Sequence, residues 1–226
     1  EDPVEYQMEG ISQIQINSPI GLTFSRGLRS ILRHDPDIIL VGEIRDHETA
    51  EIAIRSALTG HLVLSTLHTN DSIGAVNRLI DMGIDPFLVA SSLYASIAQR
   101  LIRRVCTECA EETPHEQIPE KILNEIADAN DCKSSEIKVM HGTGCPRCGN
   151  TGYKGRVAIY EFFLMDEMLE DMITRSATTV DIRNYAKKSG FKNLRQDGWR
   201  KVFSGQTSLD EVLRITTSFD ISYHID

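Results

Sequence analysis

Four branched apolar residues in succession, Ile38-Ile39-Leu40-Val41, constrain this chain more than any other stretch. A strand with one wet face alternates apolar and polar residues. An unbroken apolar run instead suggests a strand buried on both faces, as in a parallel sheet. The flanks agree with a strand there. Residues 23–33 read as a helix capped by Thr23, with Phe24, Leu28, Ile31 and Leu32 on one face, and Asp35-Pro36 ends it. Past the strand, Asp46 can cap a helix that runs to about Leu58, with Gly60 just beyond its end. His61–Thr66 reads as a second buried strand. Helices near 72–82 and 86–101 follow, the second with Pro86 in its first turn. Alternating strands and helices make an α/β layer.

Residues 103–156 break that rhythm. They hold all five cysteines and one short helix around 119–129. Residues 157–163 (VAIYEFF) read as a strand, and 11–17 as a short one. From Asp166 to Thr217 the pattern is helical in about four pieces, and Ser208-Leu209-Asp210-Glu211 is a capping-box pattern before the last. The chain thus divides into 1–102, 103–156 and 157–226. It opens on Glu1 rather than Met, as expected of a segment of a longer protein. No apolar run reaches the ~18 residues of a membrane span, and no signal peptide is present, so the expected location is the cytoplasm.

The apolar run ends in Gly42-Glu43. A carboxylate at the carboxyl end of a buried parallel strand faces the crevice where such sheets bind nucleotides. There it can orient an attacking water or help hold the water shell of Mg²⁺. A solvated strand-end acid is the plain alternative. Asp37, at the other end, is read as structural. Arg26, Arg29, Arg33 and Arg45 lie near these acids in sequence and suit phosphate charge, though each can equally pair with a carboxylate inside the fold.

Four of the cysteines form two C-x-x-C pairs, Cys106/Cys109 and Cys145/Cys148. In a cytosolic chain such pairs favour metal over disulfides. Four thiolates with no open position mark structural Zn²⁺. The 35 intervening residues exceed a compact zinc ribbon, so the metal closes a loop holding a helix. It would give folding energy to a segment with little apolar core of its own. Cys132 is left as a free thiol. A nucleic-acid role is disfavoured. The net charge is -9, and phosphate affinity comes mainly from Lys and Arg. Residues 103–156 carry 8 Lys/Arg against 9 Asp/Glu, and Tyr153 is their lone aromatic residue for base stacking.

Four stretches resemble, in order and spacing, the secretion and pilus ATPase family. Leu32–Asp46 (LRHDPDIILVGEIRD) resembles its Walker B signature. Glu1-Asp2-Pro3-Val4-Glu5-Tyr6 resembles its Asp box, Gly60–Asn70 its His box, and Cys106–Arg156 its tetracysteine insert. The resemblance implies the C-terminal portion of a RecA-like P-loop ATPase domain with a zinc-binding insert and a helical C-terminal extension. It implies that Glu43 is the catalytic glutamate and that His68 senses the γ-phosphate or links subunits. Glu1, Asp2 and Glu5 would be acids near Mg²⁺ and water. Arg45, Arg29 and Arg33 are the candidate partners of bound ATP.

The family assembles as homo-hexamers on inner-membrane platform proteins, and ATP hydrolysis drives pseudopilin assembly. The stretch Asp81–Leu88 followed by Ala98-Gln99-Arg100-Leu101 looks closer to type II secretion than to type IV pilus assembly, and retraction motors, which generally lack the insert, rank last. No G-x-x-x-x-G-K-[ST] occurs in the chain, and that loop holds the β- and γ-phosphates. The segment alone is therefore expected to be inactive. A non-catalytic zinc-containing assembly or nucleic-acid-binding module is the rival from another class.

Overall fold

The computed structural model describes residues 1–220. Among them no helix is long and apolar enough to cross a membrane. The chain divides into two compact units. One comprises Glu1–Ser96 with Leu164–Ala186, the other Ile97–Phe163 with the described residues from Lys187 onward.

The first unit is built on a βαβ step. Helix α1 (Phe24–Ile31) is capped by the Thr23 hydroxyl, which accepts from the Arg26 amide. Strand β1 (Ile38–Val41), helix α2 (His47–Leu58) and strand β2 (Leu62–Ser65) follow. β1 and β2 pair in parallel, Ile38 with Leu62 through Val41 with Ser65. Asp46 starts α2, because its carboxylate takes both the amide and the hydroxyl of Thr49. Helices α3 (Gly74–Asp81) and α4 (Pro86–Ser92), then α6 (Glu167–Thr174) and α7 (Thr179–Lys188) complete the helical set of this unit, save the last residues of α7. Buried Leu28, Ile39, Val41, Ala50, Ile54, Val76 and Val89 are among its core residues.

The expected burial of both strand faces is corrected here. Ile39 and Val41 are buried, but Ile38 and Leu40 are exposed, and so are Leu62 and Leu64 of β2. In the parallel register those four share one face. The apolar run does form a strand. Helices of this chain cover one side of it.

The second unit contains most of strands β3 (Ala95–Val105) and β6 (Tyr153–Leu164), which form a two-stranded sheet. Between them lie β4 (Ala110–Glu112), helix α5 (Glu120–Asn130) and β5 (Met140–Gly142), with β4 and β5 antiparallel. Helices α8 (Leu194–Phe203) and α9 (Leu209–Asp220) close the unit. The expected helix over 86–101 stops at Ser92, and the chain turns into β3 instead. Residues 95–105 hold good helix formers, yet burial there alternates: Ala98 and Ile102 are buried while Ile97 and Leu101 are exposed. Pairing with β6 overrides local propensity. The expected strand at 11–17 is irregular, apart from a single bridge between Asn17 and Leu22.

The 103–156 segment has more apolar core than expected. Ile118, Ile122, Ile126, Ile137 and Val139 pack with Trp199, Val202 and Val212. Trp199 donates its indole N–H to Glu125 of α5 at 3.0 Å. A Cβ on Gly198 would come within 2.7 Å of Val212, so this glycine lets α8 and α9 approach closely.

The capping box read at Ser208–Glu211 is half made. The Ser208 hydroxyl takes the Glu211 amide at 3.3 Å. The fully buried Glu211 carboxylate turns instead to Arg103 and Arg214. It accepts from the amide, Nε and Nη2 of Arg103 and from Nε and Nη2 of Arg214. Burial pushes the carboxyl pKa up, but the donors from Arg214 and Arg103 outweigh it and hold the pKa at about 2.

Since the folded pKa lies below the ordinary 4.5, the stabilisation is full above 4.5 and is lost as pH falls towards 2. Glu211→Gln should cost about 3 kcal/mol at neutral pH, the low end for a broken buried pair because both guanidiniums reach solvent. Urea denaturation of wild type and variant at pH 7 and pH 3 reads it. A gap that does not narrow at pH 3 would refute the assignment.

Candidate nucleotide site and tetracysteine centre

Parallel pairing delivers the carboxyl ends of β1 and β2 to one edge. β1 runs out into Gly42-Glu43 and β2 into Thr66-Leu67-His68. Two bonds lock the exits together: the Thr66 hydroxyl donates to the Gly42 carbonyl at 2.7 Å, and the Ile44 amide donates to the Thr66 carbonyl at 3.0 Å. Thr66 lies inside the stretch that resembles a His box, but nothing in the sequence marks its hydroxyl as the tie to β1.

This locking brings Glu43 and His68 together across 25 residues. His68 Nε2 lies 3.1 Å from Glu43 Oε2. Arg45 Nε donates to the same oxygen. The Glu43 side chain is only 13% exposed, whereas His68 is 78% exposed. The Arg45 hydrogen bond holds the Glu43 carboxyl below its ordinary range, with partial burial opposing and His68 assisting. Glu43 is thus a fixed negative charge, suited to accepting a hydrogen bond from water.

The other candidates fall at different distances from this pair. Glu1 packs against Gly42, where an added Cβ would meet the Glu1 Cα at 3.3 Å. Its carboxylate accepts from Gln13 at 2.9 Å. Asp2 and Glu5 are exposed. Arg29 pairs with Glu48 of α2 at 2.7 Å, and Arg33 is exposed beyond the end of α1. Glu43, His68 and Arg45 therefore form one constellation with Glu1 beside it, while Arg29 is committed elsewhere.

In the second unit the Sγ atoms of Cys106, Cys109, Cys145 and Cys148 all lie within 4.8 Å of one another. Cys106–Cys145 and Cys109–Cys148 are 3.9 Å apart and Cys145–Cys148 3.7 Å. A tetrahedron with Zn–S bonds near 2.3 Å has edges of ~3.8 Å, so the donor set fits the ion. Backbone amides support it. Cys148 Sγ accepts from the amides of Cys145 at 3.2 Å and Gly152 at 3.3 Å, and Cys109 Sγ from Gly144 at 3.3 Å. Burial opposes ionisation of Cys148, but those amides and its thiol neighbours bring it down to about 6. Burial and the surrounding sulfurs push Cys109 up to about 12, against the Gly144 amide. The turns cannot accept side chains at their crossing: a Cβ on Gly142 would sit 2.0 Å from the Gly152 carbonyl oxygen.

A family model described as type II/IV secretion system protein matches residues 1–214. The chain belongs to that family. It is similar to the "Type II secretion system ATPase E" of Vibrio cholerae serotype O1, with 47% identity over 96% of this chain and 42% of the relative. It is equally similar to the "Type IV pilus assembly ATPase PilB" of Thermus thermophilus, with 47% identity over 96% of this chain and 24% of that one. A solved structure, that of the pilus retraction motor PilT with bound ADP, superposes with a TM-score of 0.65 at 24% identity, covering 95% of this chain and 50% of that one. At that identity the match speaks for the α/β fold alone. This chain spans less than half the length of the two curated relatives.

Proposed function

We propose that the protein containing this chain is an ATP-hydrolysing motor that powers type II secretion through pseudopilus assembly. The observation that carries the reading is the ionised Glu43 carboxylate at the carboxyl end of β1, met by His68 from the next strand. Phosphoryl transfer to water needs positioning and charge placement more than covalent chemistry. Glu43 would orient the attacking water, His68 would report the terminal phosphate to the neighbouring strand, and Arg45 would keep Glu43 charged and aligned. Mg²⁺ takes oxygen ligands and keeps several waters, and Glu1, Asp2 and Glu5 are the acids best placed in sequence to meet that shell.

In this reading residues 1–102 belong to a RecA-like ATPase core, 103–156 to a zinc-binding insert, and 157–226 to a strand return and helical extension. Of the last, 221–226 lie outside the described residues. The phosphate-binding loop would come from the rest of the protein, which would work as a homo-hexamer in the cytoplasm against an inner-membrane platform. A type IV pilus assembly motor is the second reading, favoured by the equal 47% identity to a relative of that name. The full-length protein should hydrolyse ATP with Mg²⁺ present, and residues 1–226 alone should not. No turnover by the full-length protein, even with platform proteins added, would sink the motor reading in favour of a non-catalytic assembly module.

A further inference from the structure

We infer that Arg183 of α7 is a positioning residue that acts through Asp71 to hold His68 at Glu43. The inference rests on the reading of Glu43 and His68 as the hydrolytic pair. His68 ends β2's exit, and residues 69–73 form the turn into α3. Asp71 organises that turn. Its Oδ1 accepts the Gly74 amide at 2.6 Å, and its backbone carbonyl accepts the Thr69 hydroxyl at 3.0 Å. Its other oxygen, Oδ2, accepts from Arg183 Nη2.

Arg183 lies more than a hundred residues downstream, in a helix that otherwise has no part in the site. The pair is largely buried, with side chains 15% and 13% exposed. A second tie repeats the connection, since Asn77 of α3 donates to the Thr179 hydroxyl at 2.8 Å.

A buried ion pair is weak as a stabiliser compared with apolar packing of the same volume. What it supplies here is direction. The guanidinium fixes which way the Asp71 carboxylate faces, the carboxylate ties Asp71 to the Gly74 amide, and the Asp71 backbone carbonyl takes the hydroxyl of Thr69, the residue after His68. His68 is itself largely exposed, so packing does not hold its ring. Gly74 belongs to the same device: a Cβ there would lie 2.7 Å from Asp71 Oδ1 and displace the carboxylate. Alanine raises helix propensity, so a defect in Gly74→Ala would not come from a weaker α3.

The test uses the full-length protein. Arg183→Gln and Gly74→Ala should each lower kcat for ATP ~10- to 100-fold, the usual cost of loosening the support of a reacting group. KM for ATP should stay unchanged, and Arg183→Lys should recover part of the loss. Hydrogen–deuterium exchange at the His68 imidazole C2 position, read by mass spectrometry, should move towards that of a free histidine in both variants. Wild-type His68 exchange in Arg183→Gln, or in Gly74→Ala if the former does not fold, would overturn the inference. So would a normal kcat. If wild type itself shows no turnover, the motor reading fails, and the His68 exchange alone decides the positioning role.

Discussion

Glu43→Gln in the full-length protein is expected to lower ATP turnover ~10²- to 10⁴-fold, the span associated with losing a positioned acid–base group, while nucleotide still binds. The substitution is nearly isosteric. The glutamine carbonyl can still accept from Arg45 or His68, and the lock between the ends of β1 and β2 does not use this side chain. The negative charge is what disappears. The Arg45 hydrogen bond, more than His68, holds the Glu43 carboxyl below its ordinary range against the pull of partial burial. Such a group is ionised throughout the neutral range. It attracts and orients water and is already in the form that can accept a proton from it.

Two results follow from that depressed pKa. The pH–rate profile of wild type should show no acid limb from Glu43 between pH 6 and 8. Arg45→Gln should weaken turnover less than Glu43→Gln, because His68 still faces the carboxylate. Turnover and trapped-nucleotide binding, measured on the same preparations, check both. Near-normal turnover in Glu43→Gln would move the water-orienting role to another acid, with Glu1, packed against Gly42, the first to test.

Local chemistry made the βαβ step legible, because the run Ile38–Val41, the Asp46 cap and the Gly60 stop all point to the same answer. It failed at residues 95–105. Nothing within Ala95–Val105 says that β6, some fifty residues away, will pair with it, and alternation is diluted by Arg100 and Arg104. Contacts within the candidate site were legible where the partners lie in one motif, as with Glu43 and Arg45. They were illegible where partners come from distant helices. Asp71 carries only the weak signal of an acid three residues before the start of α3, and Arg183 carries none. Glu211 shows the same limit, since its spacing from Ser208 suggests a cap while its carboxylate serves Arg103 across the unit.

Removal of metal from the tetracysteine centre should open the two knuckles and leave the core of that unit standing. Chelation, or Cys145→Ser, takes away a tetrahedral ligand set worth ~10 kcal/mol or more in small zinc modules that fold only with the ion. Here the dependence is narrower, because α5 is already packed on α8 through Ile122, Ile126 and Trp199. Arg103, three residues before Cys106, is fixed by the Glu211 carboxylate independently of metal. Without zinc the four thiols confined within 4.8 Å would have no shared cation, and the turns at 106–109 and 142–152 would lose what the ion supplies to draw them together.

Trp199 gives a clean readout. It is the single tryptophan of the chain and is 1% exposed. Metal analysis should find one zinc per chain, lost with Cys145→Ser. Limited proteolysis should then cut within the knuckles while Trp199 emission stays blue, as for a buried indole. A red shift accompanying zinc loss would mean that the metal holds the α5–α8 core as well. Knuckles that stay protease-resistant without metal would show that the cysteine cluster is dispensable for folding.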